Sequence, residues 1–302
     1  MKPDYEGSNW AVYNADCVEL LAGMPDECVD AAVFSSPFSS LYIYSDSERD
    51  MGNSASHDQF LEHHAYMARE LFRVLKPGAV ICDHVKDTVF YQNSSETGEG
   101  GLFPFSDEAG RNYRTAGFCL RARVTIWRDP VREMQKTKHE RLLYKNIREN
   151  SRVSAMGMPE YILVMRKESK GKNVGEPVKH TRDEFTLDQW QQWASPVWMD
   201  TMQTKVLNAR SKGDKDEKHI CPMPLDLIER CLTLYSNPGD LVLDPFNGIG
   251  STGYQAVKMG RKYIGIELKP EYAKQAAKFL QAAEQQSGSL LELITAVDEE
   301  SA

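Results

Sequence analysis

Short apolar runs that end on a polar or acidic residue alternate along this chain with stretches of helical periodicity, the pattern of parallel strands joined by helices. WAVYNAD (10–16) reads as a strand closing on an acid, followed by a helix from Cys17 to Met24 that Pro25 stops. VDAAVF (29–34) is a second buried strand and runs straight into Ser35, Ser36, Pro37 and Phe38. HDQFLEHHAYMARELFRVLKPG (57–78) has a strong helical period with a Pro77-Gly78 stop, and AVICDHV (79–85) is a third strand. RARVTIW (121–127) and EYILVMRK (160–167) complete the set as an expected antiparallel pair. Near the C-terminus LVLDPFNGIGSTG (241–253) passes from a strand into Asp244, a glycine-rich turn and a helix opening at Ser251 and Thr252, and KYIGIEL (262–268) carries Glu267 at the end of another strand.

Only 35 residues follow Glu267, so the strands that complete this unit are expected upstream of it. The expected fold is therefore α/β: a circularly permuted, doubly wound, Rossmann-like sheet, mostly parallel with an antiparallel edge. Two regions lack clear patterning. Residues 91–116, rich in Gly, Ser and Asn, read as an insertion or mobile loop. Residues 168–218, with Trp190, Trp193, Trp198 and the charged run RSKGDKDEK, read as a small accessory region whose core the tryptophans form. The expected division is 1–167 and 219–302 as two parts of one catalytic domain, with 168–218 between them.

Composition adds little until charge is located. With 302 residues, 41% hydrophobic and 26% charged, the chain is ordinary for a globular protein, and its net charge of −8 argues on its face against nucleic acid. Yet Arg111 to Arg152 holds twelve Lys or Arg against four acids, a local balance of +8 on an acidic remainder. That belt reads either as a track for a phosphate backbone or as a solvated helical face. Six scattered cysteines without a CxxC pair read as reduced thiols in a cytoplasmic protein, and no apolar stretch suggests a leader or a membrane span.

Gly248, Gly250 and Gly253 spell GxGxxG, and Glu267 stands near the place of a ribose-binding acid, so NAD is one reading. Asp244 at the mouth of the loop argues against a pyrophosphate and suits a ligand carrying positive charge. None of the 14 prolines is followed by cysteine, so no Pro-Cys nucleophile pair is present.

SSPF (35–38) followed, in that order, by DPFNGIGSTG (244–253) resembles the β-arrangement amino-methylating DNA methyltransferases, in which the motif (D/N/S)PP(Y/F) comes first and the S-adenosylmethionine motif last. The resemblance extends through HICPMPLDLIERCLTLYSNPGDLV, GRKYIGIELKPEY and NADCVELLAGMPDECVDAAVF. It implies S-adenosylmethionine as cofactor and double-stranded DNA as partner. Asp16, Cys17, Asp244, Pro245, Phe246, Gly248, Gly250, Ser251, Thr252 and Glu267 are then the expected cofactor residues. Asp16 would meet the adenine amino group, and Glu267 the ribose hydroxyls. For Ser251 and Thr252, helix capping and cofactor contact both stand.

The expected catalytic residues are Ser35, Ser36, Pro37 and Phe38, with no metal. An exocyclic amino group must be held by two acceptors, and the Ser35 hydroxyl and the Ser36 carbonyl supply them. Pro37 restricts Ser36 to extended backbone, and Phe38 offers a face for a flipped base. Ser36 departs from the family pattern, which has proline there. Serine at position 35 favours cytosine over adenine by resemblance. A DNA-binding protein that keeps the cofactor pocket with weak turnover, and an RNA or small-molecule methyltransferase, are the competing readings. A homodimer and a cognate restriction endonuclease stay open. His57, His63 and His64 lack a third spaced metal ligand, and Tyr42 and Tyr44 are expected to touch DNA.

Overall fold

The structure, a computed structural model, describes residues 2–38, 49–90, 100–137, 143–153, 156–169, 171, 175–207 and 222–300. In chain order its elements are β1 (Tyr5–Glu6), β2 (Trp10–Asn14), α1 (Cys17–Ala22), β3 (Val29–Ser35), α2 (His57–Val74), β4 (Leu75–Lys86), β5 (Thr88–Phe90), β6 (Gly101–Phe103), α3 (Phe105–Ala116), β7 (Phe118–Ile126), α4 (Pro130–Thr137) and α5 (Tyr144–Asn150). There follow β8 (Glu160–Lys167), α6 (Leu187–Trp193), β9 (Val197–Trp198), α7 (Leu225–Tyr235), β10 (Leu241–Asp244), α8 (Ser251–Lys258), β11 (Lys262–Glu267) and α9 (Pro270–Glu300).

One large sheet has the order β1-β2-β11-β10-β3-β4-β8-β7-β9, and β5 and β6 form a small separate pair. From β2 to β4 all neighbours are parallel, whereas β8 pairs antiparallel with both β4 and β7. This is the permuted, mostly parallel sheet with an antiparallel edge that the sequence predicts. Strand β10 comes more than two hundred residues after β3, yet Val242 sits in register with Ala31. The carboxyl ends of β2, β11, β10 and β3 thus lie side by side, where open α/β sheets bind ligands.

Both faces of the sheet are covered. One core gathers Leu21 of α1, Met67 and Leu71 of α2, and Phe105 and Tyr113 of α3. The other gathers Leu227 and Cys231 of α7, Ala256 of α8 and Leu280 of α9. Fully buried aromatic and aliphatic side chains such as Phe34, Phe60 and Leu71 are each worth about 1.5–3 kcal/mol against exposure, and this holds the sheet ends that carry the site. Cys17, Cys28, Cys82, Cys119 and Cys231 are free thiols; Cys221 lies outside the described residues.

Three expectations change. Helix α2 ends at Val74, not at Pro77-Gly78, because the backbone turns extended at Leu75, and Lys76, standing before proline, is restricted to the same region. Lys76, Pro77 and Gly78 already belong to β4, with a register shift opposite Val29–Ala31. The second change concerns 91–116. Its part from Gly101 onward is a strand and a helix, and Phe105, Ala109 and Tyr113 of α3, spaced by one helical turn each, are fully buried. The glycine and polar content masks that stripe; residues 91–99 lie outside the described residues. Third, β9 within 168–218 adds to the main sheet beside β7, and Trp198 joins the core, while Trp190 stays 53% exposed. Trp193 and Trp198 both face the Arg230 guanidinium, which Asp200 pairs at 2.6 Å. The run 210–218 and the loop carrying Tyr42 and Tyr44 lie outside the described residues.

Candidate active site

The turn after β10 is built by its own polar groups. Asp244, 3% exposed at the strand end, accepts from the Phe246 amide at 2.9 Å and from the Thr252 hydroxyl. The Asn247 amide donates to the Ile266 carbonyl at 2.9 Å, tying the turn to β11. Glu267, at the end of β11, accepts from the Gly248 amide at 2.7 Å and the Lys269 amide at 2.8 Å. Burial pushes both the Asp244 and the Glu267 carboxyl up to about 7, against the hydrogen bonds that favour their charged forms. Asp16 caps α1, its Oδ1 accepting from the Glu19 amide at 2.9 Å.

At the end of β3, Ser35 and Ser36 are held by successive residues of β4. The Ser35 hydroxyl lies 3.1 Å from Nδ1 of His84 and within 3.1 Å of the His84 carbonyl. Nε2 of His84 meets Glu160 Oε2 at 2.8 Å, and Arg128 binds the same oxygen. Burial raises the Glu160 carboxyl, but His84 and Arg128 outweigh it and hold it well below the usual carboxylate range. Lys86 pairs with Glu133 of α4 and lies 3.8 Å from Glu160. Ser36, 2% exposed, donates from its amide to Asp83 Oδ1 at 3.0 Å and from its hydroxyl to Oδ2 at 2.9 Å. Phe38 meets the His84 ring edge-on at 5.8 Å.

These groups border one open cleft. Of the residues assigned from sequence, Ser35, Ser36, Pro37, Phe38, Asp16, Cys17, Asp244, Pro245, Phe246, Gly248, Ser251, Thr252 and Glu267 line it. Gly250 does not. It caps α8 with a left-handed φ of 88°, and a Cβ there would stand 2.9 Å from Ala276 Cβ and Leu280 Cδ1 of α9, so its glycine serves helix packing. The cleft also takes in Asp50, Met51, Met223 and Lys269, which sequence reasoning passed over. Asp50 lies just past residues 39–48, which are outside the described residues, and its carboxylate accepts from the Gly52 amide at 2.8 Å.

His84, Asp83, Tyr113 and Glu160 were also missed. Their signal was polar residues inside apolar runs, Asp83-His84 in AVICDHV and Glu160 heading EYILVMRK. Of the three histidines that lack a third metal ligand, His64 is fully buried against Phe60, Phe105 and Tyr113, and burial lowers it to about 4. His57 stacks on Phe103 at 4.0 Å. The cationic belt is partly consumed internally: Arg128 is buried on Glu160, Arg123 pairs with Asp107 and Arg111 with Glu108.

The permuted α/β sheet thus brings an acid, a glycine turn and the SSPF corner to one cleft. Residues 29–278 match the family model described as DNA methylase, and the chain belongs to that family. It is 27% identical to the DNA adenine methyltransferase YhdJ of Escherichia coli K12 over 93% of this chain and 85% of that protein. A Thermus thermophilus protein assigned as a DNA modification methylase, solved complexed with S-adenosyl-L-methionine, superposes with a TM-score of 0.64 at 24% identity, covering 91% of this chain and 96% of its own. The cytosine-N4-specific PvuII DNA methyltransferase does so at 0.63 and 20% identity, over 93% and 89%. No helix among the described residues is long and apolar enough to cross a membrane.

Proposed function

We propose that the chain transfers a methyl group to the exocyclic amino group of a DNA base held between Ser35 and Phe38, cytosine ahead of adenine, with S-adenosylmethionine bound beside it. One observation carries the reading: the SSPF corner and the Asp244–Thr252 turn, two hundred residues apart in the chain, border the same cleft.

The cleft suits that cofactor. Asp16, Asp50, Asp244 and Glu267 line it against Arg49 and Lys269, and Arg49 is paired with Glu19, so positive charge is favoured inside. Ser251 Oγ is buried with no hydrogen-bond partner among the described residues, an orphan that a ligand would satisfy. Each Glu267 oxygen accepts one backbone amide and keeps a lone pair for a ribose hydroxyl. Asp16 Oδ2 is likewise left by the α1 cap for an amino group.

When bound, S-adenosylmethionine supplies a methyl group activated by the sulfonium. The protein's own part is to hold the acceptor. The Ser35 hydroxyl oxygen and the Ser36 carbonyl accept the two amino hydrogens, and Phe38 gives the base a stacking face. The amino nitrogen must lose a proton on methylation. Anionic Glu160 keeps the His84 proton on Nε2, leaving Nδ1 free to take the proton that Ser35 hands on as it receives one from the base. Exposed cations of 111–152 track phosphates, and 168–218 contributes to sequence recognition.

Serine at position 35 supports cytosine. Methylation of genomic DNA from a methylation-deficient host, read by nucleoside mass spectrometry, tests it: N4-methylcytosine is expected, N6-methyladenine overturns the base assignment, and no methylated DNA overturns the activity.

A further inference from the structure

Ser36 occupies a position where the family pattern has proline, and its surroundings show what stands in for the ring. Two bonds from the one residue reach both oxygens of a single carboxylate: amide to Asp83 Oδ1 at 3.0 Å, hydroxyl to Oδ2 at 2.9 Å. The amide bond fixes the peptide plane entering Ser36, and the hydroxyl bond fixes its side chain, so together they restrict φ. Pro37 restricts ψ of the same residue by its own ring. The carboxylate is itself fixed. Asp83 is fully buried on β4, and the Tyr113 hydroxyl of α3 donates to Oδ2 at 2.8 Å. Burying this acid is costly, and its three converging donors offset part of that cost.

We propose that Asp83, steadied by Tyr113, is a positioning residue that locks Ser36 as a proline ring would, so that the Ser36 carbonyl stays aimed at the acceptor amino group. The inference rests on the reading of Ser35–Phe38 as the base-holding corner. Three elements then converge on one peptide: β3 carries it, β4 grips it, and α3 braces the grip.

Asp83→Asn keeps the volume but offers one acceptor oxygen where three donors meet. Turnover on unmethylated genomic DNA is expected to fall by about tenfold or more, the scale of a small misplacement at a reacting centre. Calorimetric binding of S-adenosylmethionine without DNA should stay within about twofold, since Asp83 does not line the cofactor turn. Exchange of the Ser36 amide proton should speed up. Ser36→Pro placed in the Asp83→Asn background should return turnover to within a few-fold of the parent, because the ring restores the lock without the carboxylate. If Asp83→Asn does not fold, Tyr113→Phe, which removes one hydroxyl, should show the same pattern more weakly. Parent-like turnover of the folded Asp83 variant, or no recovery in the double variant, overturns the clamp. Loss of turnover in Ser35→Ala beside a parent-like Asp83→Asn overturns the clamp alone. Parent-like turnover in Ser35→Ala overturns the site reading, and the clamp with it.

Discussion

Nδ1 of His84 lies 3.1 Å from the Ser35 hydroxyl, while Nε2 of the same ring lies 2.8 Å from Glu160. The ring therefore joins a cleft-lining serine to a carboxylate that Arg128 and His84 keep ionised against burial. Replacing His84 by Asn removes the proton acceptor behind Ser35. Methyl transfer is expected to slow by roughly a hundredfold, the lower range for loss of a general base. Cofactor affinity should hardly change, and single-turnover kinetics with labelled cofactor separate the two effects. A parent rate in a folded His84 variant removes the relay.

Ser251 has a buried hydroxyl with no partner among the described residues. Ser251→Ala deletes an unsatisfied group, so the melting temperature of the free protein should hold or rise. Affinity for S-adenosylmethionine should drop by about fivefold, the equivalent of one hydrogen bond near 1 kcal/mol. A fall in stability with unchanged affinity would assign the hydroxyl to the fold instead.

Burial raises the Asp244 and Glu267 carboxyls to about 7, above the value near 4 of an exposed carboxylate. The folded chain then holds protons that the unfolded chain releases between those limits, so these groups' contribution to stability declines as pH rises from about 4 to 7. Ribose hydroxyls and a cation favour the ionised forms. Cofactor binding should expel protons and tighten from pH 6 to pH 8, by up to about tenfold per group for each unit below its pKa. Titration calorimetry in buffers of different ionisation heat reads the proton release directly, and a flat affinity over that range refutes the coupling.

Gly250 combines a φ of 88° with a helix face 2.9 Å from any added Cβ. Gly250→Ala should lower stability by roughly 1–3 kcal/mol from backbone strain alone, with the clash against α9 adding to it. Chemical denaturation measures it. Gly248→Ala meets only a carbonyl oxygen at 3.9 Å, an ordinary contact, so it should cost backbone strain without a clash and lose less than Gly250→Ala.

The parallel strands and the glycine turn were legible because their information is local. An apolar run ends, an acid follows, and a helix begins, and the strand Glu160–Lys167 matches its sequence bounds residue for residue. The antiparallel edge followed from two further apolar runs. The supports of the SSPF corner were not legible, since Asp83 and His84 acquire meaning only when β4 is laid beside β3, with Asp83 opposite Phe34 and His84 opposite Ser35. Glu160 arrives from β8, and Tyr113 from a helix hidden in a region of polar composition. Side chains that act across strands leave a sequence trace only as polar interruptions of apolar runs, and many such interruptions are surface positions.

Strands β2 and β3 follow one another closely in the chain, yet β11 and β10 stand between them in the sheet. Residues 241–267 supply that pair, and with it the acid of the glycine turn and Glu267. The two walls of the cleft, Asp16 after β2 and Ser35 at the end of β3, therefore meet only across strands from the far end of the sequence, and a chain cut before residue 241 keeps the walls and loses the floor between them.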